Sequence, residues 1–343
     1  MKSIFIIVLN LIIVVESDAQ WQKQFSNTDA NFRSICAITN KIVWIGGSKG
    51  TFLRTIDGGK TWENNQVKGA ESLDFRDVHA FDANTAILMS AGEAEKGNAK
   101  FYRTTDGGKT WEIVYQTIQK GIFFDGIDFW DKQNGIAFSD PVNGKFFIIK
   151  TKDGGKTWLP IDPANIPTIQ ENEAAFAASG TSMITVGRKC AYICTGGGEF
   201  AQIYKTENQG ENWSVVKTNM PAGKTNGLFG VRFWNDHYGI AVGGDYQEVT
   251  KSIANVLLTS DGGKTWRDAP QTSPIGLKEG VAVYQNKILI AVGPSGTGYS
   301  KDFGKSWTEI DETAFHAISI YDNGIWAVGG KGTVYKLDTK ILK

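Results

Sequence analysis

The chain has 343 residues and balanced charge, 36 basic side chains against 36 acidic, with no long run of either sign. This excludes the basic footprint that a nucleic-acid or anionic-membrane partner requires. Three cysteines, Cys36, Cys190 and Cys194, are too few and odd in number for a disulfide framework, and they read as small buried hydrophobes.

In chain order, Met1-Lys2-Ser3 puts a positive charge before an apolar run from Ile4 to Val15, and polar Glu16, Ser17 and Asp18 follow. This is the layout of a cleavable leader over residues 1–19, with Ser17 and Ala19 as the small residues before the cut. The run is too short to span a bilayer, so the expectation is a secreted or periplasmic chain starting at Gln20, with no span after cleavage.

From residue 55 onward one eight-residue motif, Thr-x-Asp-Gly-Gly-Lys-Thr-Trp, recurs. Full copies run from Thr55 to Trp62, Thr104 to Trp111, Thr151 to Trp158 and Thr259 to Trp266. Degenerate copies run from Thr206 to Trp213, with Asn208 at the Asp position, and from Ser300 to Trp307, with Phe303 replacing the first Gly. The carboxylates Asp57, Asp106, Asp153, Asp261 and Asp302 suit tight turns, because Asp accepts bonds from N–H groups just ahead and Gly takes positive φ. Ahead of each box comes an alternating strand, a polar turn and an apolar strand ending in Gly or a small residue, as in Gly239 to Gly244 and Ile288 to Gly293, and the same apolar strand returns at Gly324 to Gly330. Four short strands per repeat make one propeller blade.

A seventh unit, Ala314 to Leu337, lacks a box and its closing Trp, whereas Trp21 to Phe25 reads like the strand after a box. The expected fold is therefore all-β: a seven-bladed propeller of four-stranded antiparallel blades over residues 20–343, its ring closed by the N-terminal strand. The motif resembles the Asp-box (BNR) repeats of sialidases, sortilin-type receptors, some endoglucanases and photosystem II stability/assembly factor-like proteins. That resemblance implies that the boxes, including Asn208, Trp62, Trp111, Trp158, Trp213, Trp266 and Trp307, are structural and peripheral. It also implies an assembly or binding role.

Strand parity puts the loops between strands two and three, and those leading to the next blade, on the face opposite the boxes. Long loops are expected at Ser90 to Lys100, Ser139 to Lys145, Gly187 to Ala201 and Gly243 to Asn255, giving a cleft bordered by blades two to five. On that face the candidate ligand-binding residues are Arg33, Arg76, Asp77, Asp125, Glu173, Glu279 and His316 from strand starts, with Asp140, Asp245 and Tyr246 from loops. Converging carboxylates and arginines suit a polar ligand, a sugar or a cation. A solvated, self-neutralising rim is the competing reading. The run Gly196-Gly197-Gly198 does not open a helix, so nucleotide fingerprints fail. His79, His237 and His316 lack metal-ligand spacing, and neither a metal nor a cofactor is expected.

Two functions compete: an exported, monomeric binding or assembly protein that recognises a protein or glycan on its loop-rich face, and a glycoside hydrolase. The first is preferred. A sialidase-like site needs three arginines, for which Arg33, Arg76 and Arg232 stand nearest. A retaining or inverting glycosidase of the usual kind needs a carboxylate pair, drawn here from Asp77, Asp125, Asp140 and Glu173.

Overall fold

The computed structural model describes residues 20–251, 255–270 and 276–343. The leader reading falls on residues 1–19, outside them. Seven four-stranded antiparallel sheets form a ring of blades. Blade 1 comprises Phe32–Ala37, Val43–Gly47, Thr51–Thr55 and Glu63–Gln66, from the axis outwards. The inner strands of blades 2 to 7 are Phe75–Ala80, Phe124–Phe129, Met183–Val186, Asn226–Phe233, Gly280–Tyr284 and Ala317–Tyr321. Blade 7 is completed by Trp21–Lys23, with Trp21 opposite Leu337 and Lys23 opposite Tyr335. Among the described residues no helix is long and apolar enough to cross a membrane.

The second strands explain the apolar runs in the sequence. Every residue of Val43–Gly47, Ala86–Ser90, Ile288–Gly293 and Gly324–Val328 is buried. Neighbouring blades cover both faces of such a strand, which removes the need for a polar alternate position. By contrast, all four residues of the outer strand Glu63–Gln66 are exposed.

The boxes are hydrogen-bonded turns. In the first, the Thr55 hydroxyl donates to Asp57 Oδ1 at 2.8 Å, and the N–H of Gly59 donates to Thr55 Oγ1 at 3.0 Å. The N–H of Thr61 and its hydroxyl reach the two Asp57 oxygens at 3.0 and 2.7 Å. The same pattern returns at Asp106, Asp153 and Asp261. Asn208 keeps the contacts to Thr206 and to the N–H of Asn212, and Asp302 keeps its own set with Ser300 and Ser306 in place of threonines. At the first Gly position Gln209 and Phe303 hold φ of 56° and 61°, so the turn imposes its left-handed backbone even where glycine is missing.

Two of the expected long loops are corrected. Ser139 to Lys145 is mostly strand, because Gly135–Val142 and Lys145–Thr151 close on a two-residue turn, Asn143-Gly144, with φ of 53° and 79°. Asn-Gly is the pair that such a tight hairpin favours. Gly187 to Ala201 contains the second strand of blade 4, Cys190–Cys194, which leaves residues 195–199 as the connection. The long excursion lies instead between blades 3 and 4, residues 161–182, where no repeat pattern marks it. All three cysteines are free thiols, and burial pushes the Cys36 thiol up to about 12.

Candidate functional site

At the loop-rich end of the axis, four inner strands carry the same irregularity. The register jumps over one residue between Phe32 and Ser34, Phe75 and Asp77, Phe124 and Gly126, and Leu228 and Gly230. The residues left without a partner in the neighbouring strand are Arg33, Arg76, Asp125 and Phe229. A bulge bends its strand and re-aims the extra side chain, and all four border one axial cavity of about 460 Å³. Glu279 and His316, just before the inner strands of blades 6 and 7, border it too. Asp140, near the end of the second strand of blade 3, and Tyr246, just after the second strand of blade 5, border it as well. Every blade or its leading segment contributes, so the feature is axial and not a cleft confined to blades two to five.

One wall is apolar. The stretch Ala175 to Ala178, from the long excursion ahead of blade 4, borders the cavity. Phe176 stacks on Phe229 with ring centroids 4.1 Å apart, and Tyr246 meets Phe176 edge-on at 6.1 Å. The same excursion closes the cavity below. Thr181 ties it to blade 5, because the Val231 N–H donates to the Thr181 carbonyl at 2.9 Å. The Thr181 hydroxyl reaches the Glu279 carbonyl at 3.5 Å. Gly180, at φ 67°, packs so closely on Asp77 that a Cβ there would meet Oδ1 at 2.5 Å. A segment from blade 4 that touches both blade 2 and the lead into blade 6 must cross the axis. Beneath it, Ser179, Gly180 and Thr181 border a second cavity of about 180 Å³ with Cys36, His79, Asp128 and Arg232.

The charges of the upper cavity are unevenly paired. Arg76 Nε donates to Asp74 Oδ2 at 2.8 Å, and its guanidinium lies 5.9 Å from the Phe123 ring centroid. Glu279 Oε2 sits 2.6 Å from His316 Nδ1 and 3.8 Å from Arg33. Asp140 accepts the Ala175 N–H at 3.1 Å, and burial pushes its carboxyl up to about 6. Asp125 is only 1% exposed, and among the described residues neither of its oxygens has a hydrogen-bond partner. Burial, then the neighbouring Asp140 charge, raises its pKa well above the ordinary carboxylate range. Arg76 acts in the opposite direction, as does the nearby Asp140 N–H, which itself donates to the Phe123 carbonyl.

Seven of the ten sequence candidates thus meet at one cavity: Arg33, Arg76, Asp125, Asp140, Tyr246, Glu279 and His316. Three do not. Asp77 is turned below the floor, where its carboxylate accepts the N–H groups of Val78 and Ile127 at 2.8 and 2.9 Å. Glu173 is buried within blade 4, accepting from the Thr195 hydroxyl at 2.6 Å, Tyr204 Oη at 3.0 Å and the Gln170 N–H at 3.0 Å. Asp245 caps its own turn through the Gln247 N–H and borders a separate small pocket with Lys251. The run Gly196-Gly197-Gly198 is accounted for by backbone passage: Gly196 bridges to both Ala174 and Gly227, leaving no room for side chains.

Sequence reasoning missed Phe123, Ala175 to Ala178, Phe229, Val249 and Pro294, all of which border the cavity. One signal was available for Phe229. Phe32-Arg33-Ser34, Phe75-Arg76-Asp77, Phe124-Asp125-Gly126 and Leu228-Phe229-Gly230 occupy the same place in their repeats, so a polar residue at that place in three blades marks an apolar one in the fourth.

An unpaired buried carboxyl is costly to the fold. Asp125→Asn is therefore expected to stabilise the protein by about 1 kcal/mol, because the shape is kept and the charge penalty removed. Urea unfolding checks this; a clear loss of stability would mean that Asp125 has a structural partner.

A family model described as Photosynthesis system II assembly factor YCF48 matches residues 13–114. No curated protein matches the chain by sequence. Among solved structures, YCF48 bound to D1 peptide is similar over 93% of this chain and 94% of its own, with a TM-score of 0.63 at 16% identity. A catalytically inactive variant of virginiamycin B lyase from Staphylococcus aureus, solved with quinupristin, is similar over 92% of this chain and 97% of its own, with a TM-score of 0.66 at 13% identity. At such identities these likenesses concern the fold. Together with the repeats, they make the chain a BNR-type seven-bladed propeller resembling the photosystem II assembly factor.

Proposed function

We propose that this chain is an exported binding propeller of the assembly-factor kind, which takes a segment of a partner protein into the axial cavity on its loop-rich face. The observation that carries this is the cavity itself. Three bulged inner strands deliver Arg33, Arg76 and Asp125 to it, and a fourth delivers Phe229 to an aromatic wall with Phe176 and Tyr246. An apolar wall beside a few convergent polar groups is the usual composition of a ligand site. The fold relative solved with D1 peptide supports a polypeptide as the class of ligand, and the leader-like residues 1–19 support export.

Hydrolysis is disfavoured by where the candidate groups go. Arg232 borders the lower cavity, beyond the floor from Arg33 and Arg76, so the three arginines do not converge. Of the four candidate carboxylates, Asp77 and Glu173 are committed to bonds within the fold.

Photo-crosslinking tests the reading. Benzoylphenylalanine at Tyr246, which is 45% exposed on the cavity rim, is expected to capture one defined segment of an envelope protein. The same probe at Leu159, 71% exposed on an outer strand, should capture none. Equal capture at both positions, or a single defined segment at Leu159 alone, would place binding elsewhere.

A further inference from the structure

We propose that the axial cavity holds a cation-accepting subsite, formed by Asp125 and Asp140, which selects a lysine or arginine side chain of the bound segment. The proposal rests on the reading of the cavity as a protein-binding site and adds the chemistry of what enters it.

Three basic groups border the cavity, and each already faces a carboxylate of this chain: Arg76 pairs with Asp74, while Arg33 and His316 share Glu279. None is left as an unopposed anion receptor. The carboxylates are otherwise placed. Asp140 uses one oxygen on the Ala175 N–H, and among the described residues Asp125 uses neither. Asp125 is almost wholly withdrawn from solvent, so water compensates it poorly. Buried Asp125 and half-buried Asp140 repel each other. Arg76, whose Nε is committed to Asp74, offsets this only in part, and a ligand ammonium or guanidinium satisfies both with charge-assisted hydrogen bonds.

The remaining surroundings favour an organic cation over a metal ion. Among the described residues no group of three or more His, Cys, Asp or Glu stands ready to hold a metal, and a hard cation needs more oxygen ligands than two carboxylates supply. Phe123, Phe176, Phe229 and Tyr246 instead offer ring faces and edges along which the methylene stem of a long basic side chain lies, its charge beyond them.

The test uses fluorescein-labelled hexapeptide pools in which one central position is fixed as Lys, Arg, norleucine or Glu and the others are randomised, titrated with the full chain by anisotropy. The Lys and Arg pools are expected to bind about tenfold more tightly than the norleucine pool, a difference in the range of charge-assisted pairing. Asp125→Asn and Asp140→Asn should each bring the Lys pool to within about threefold of the norleucine pool titrated on the same variant. Lys109→Ala, in a box on the opposite face, should alter nothing. Equal binding of Lys and norleucine pools overturns the subsite and leaves the protein-binding reading standing. Tightest binding of the Glu pool overturns it in favour of the arginines. If no pool binds, the protein-binding reading falls and the subsite with it.

Discussion

Trp21→Ala is expected to cost about 3–5 kcal/mol, the range for emptying a buried tryptophan site. Although it stands at the edge of the described chain, Trp21 is only 3% exposed and packs on Phe315 with ring centroids 4.9 Å apart. It shares a core cluster with Ile318, Ile325, Leu337 and Leu342, all of blade 7 or the turn after it. Its strand also supplies the outer partner of Val334–Leu337, so loosening it bares an unpaired edge. Phe25 is the matched control: at 79% exposed, its change to Ala should stay within about 0.5 kcal/mol. Urea unfolding measures both. A Trp21→Ala loss below about 1 kcal/mol would show that the ring does not depend on its closing strand.

Acid should act on the molecule in two opposed ways. Among the boxes, Asp57 is held down at about 2 chiefly by the Thr61 N–H, and Asp106 at about 2 chiefly by the Thr110 hydroxyl. Asp153 and Asp261 also sit at about 2, where burial resists but the Thr157 and Thr265 bonds prevail. A lowered carboxylate pKa contributes stability that is present above the unfolded value, about 3.9, and lost as pH falls towards 2. Burial raises Asp77, Asp125, Asp140 and Glu173, and for these the sign reverses: stability is complete below the unfolded value and declines as pH rises through the folded one, about 6 for Asp140. Melting temperature should therefore peak near pH 4, fall steeply below the peak, and decline gently above it. Asp140→Asn should flatten the decline between about pH 4 and pH 6. Asp153→Ala should remove about 2 kcal/mol at neutral pH, because it abandons the Thr151 and Thr157 hydroxyls and two N–H donors. A melting profile that rises steadily from pH 3 to pH 8 would refute the assignment of these opposed groups.

What the sequence determined by itself was the part governed by local chemistry. An Asp-box turn is specified within eight residues, because Asp57 and Thr55 bond only to neighbours in the chain. Six such turns, apolar second strands and a leftover terminal strand ending in no box suffice to count blades and to close the ring. Membership of the cavity was different in kind. Asp77 and Arg76 are adjacent polar residues, yet one is turned under the floor and the other borders the cavity, since Arg76 is the bulged residue left out of the strand pairing whereas Asp77 stays paired opposite Met89. Glu173 looked like a rim carboxylate because nothing in its own segment reveals Thr195 and Tyr204, which hold it inside blade 4 from 22 and 31 residues away. Ala175 to Ala178 carry no polar group to draw notice, and they reach the axis only because the excursion after blade 3 lies across it. Turn and strand identity are set by neighbours along the chain. The direction of a side chain at the axis is set by register and by contacts between blades, and these exist only once the ring has closed.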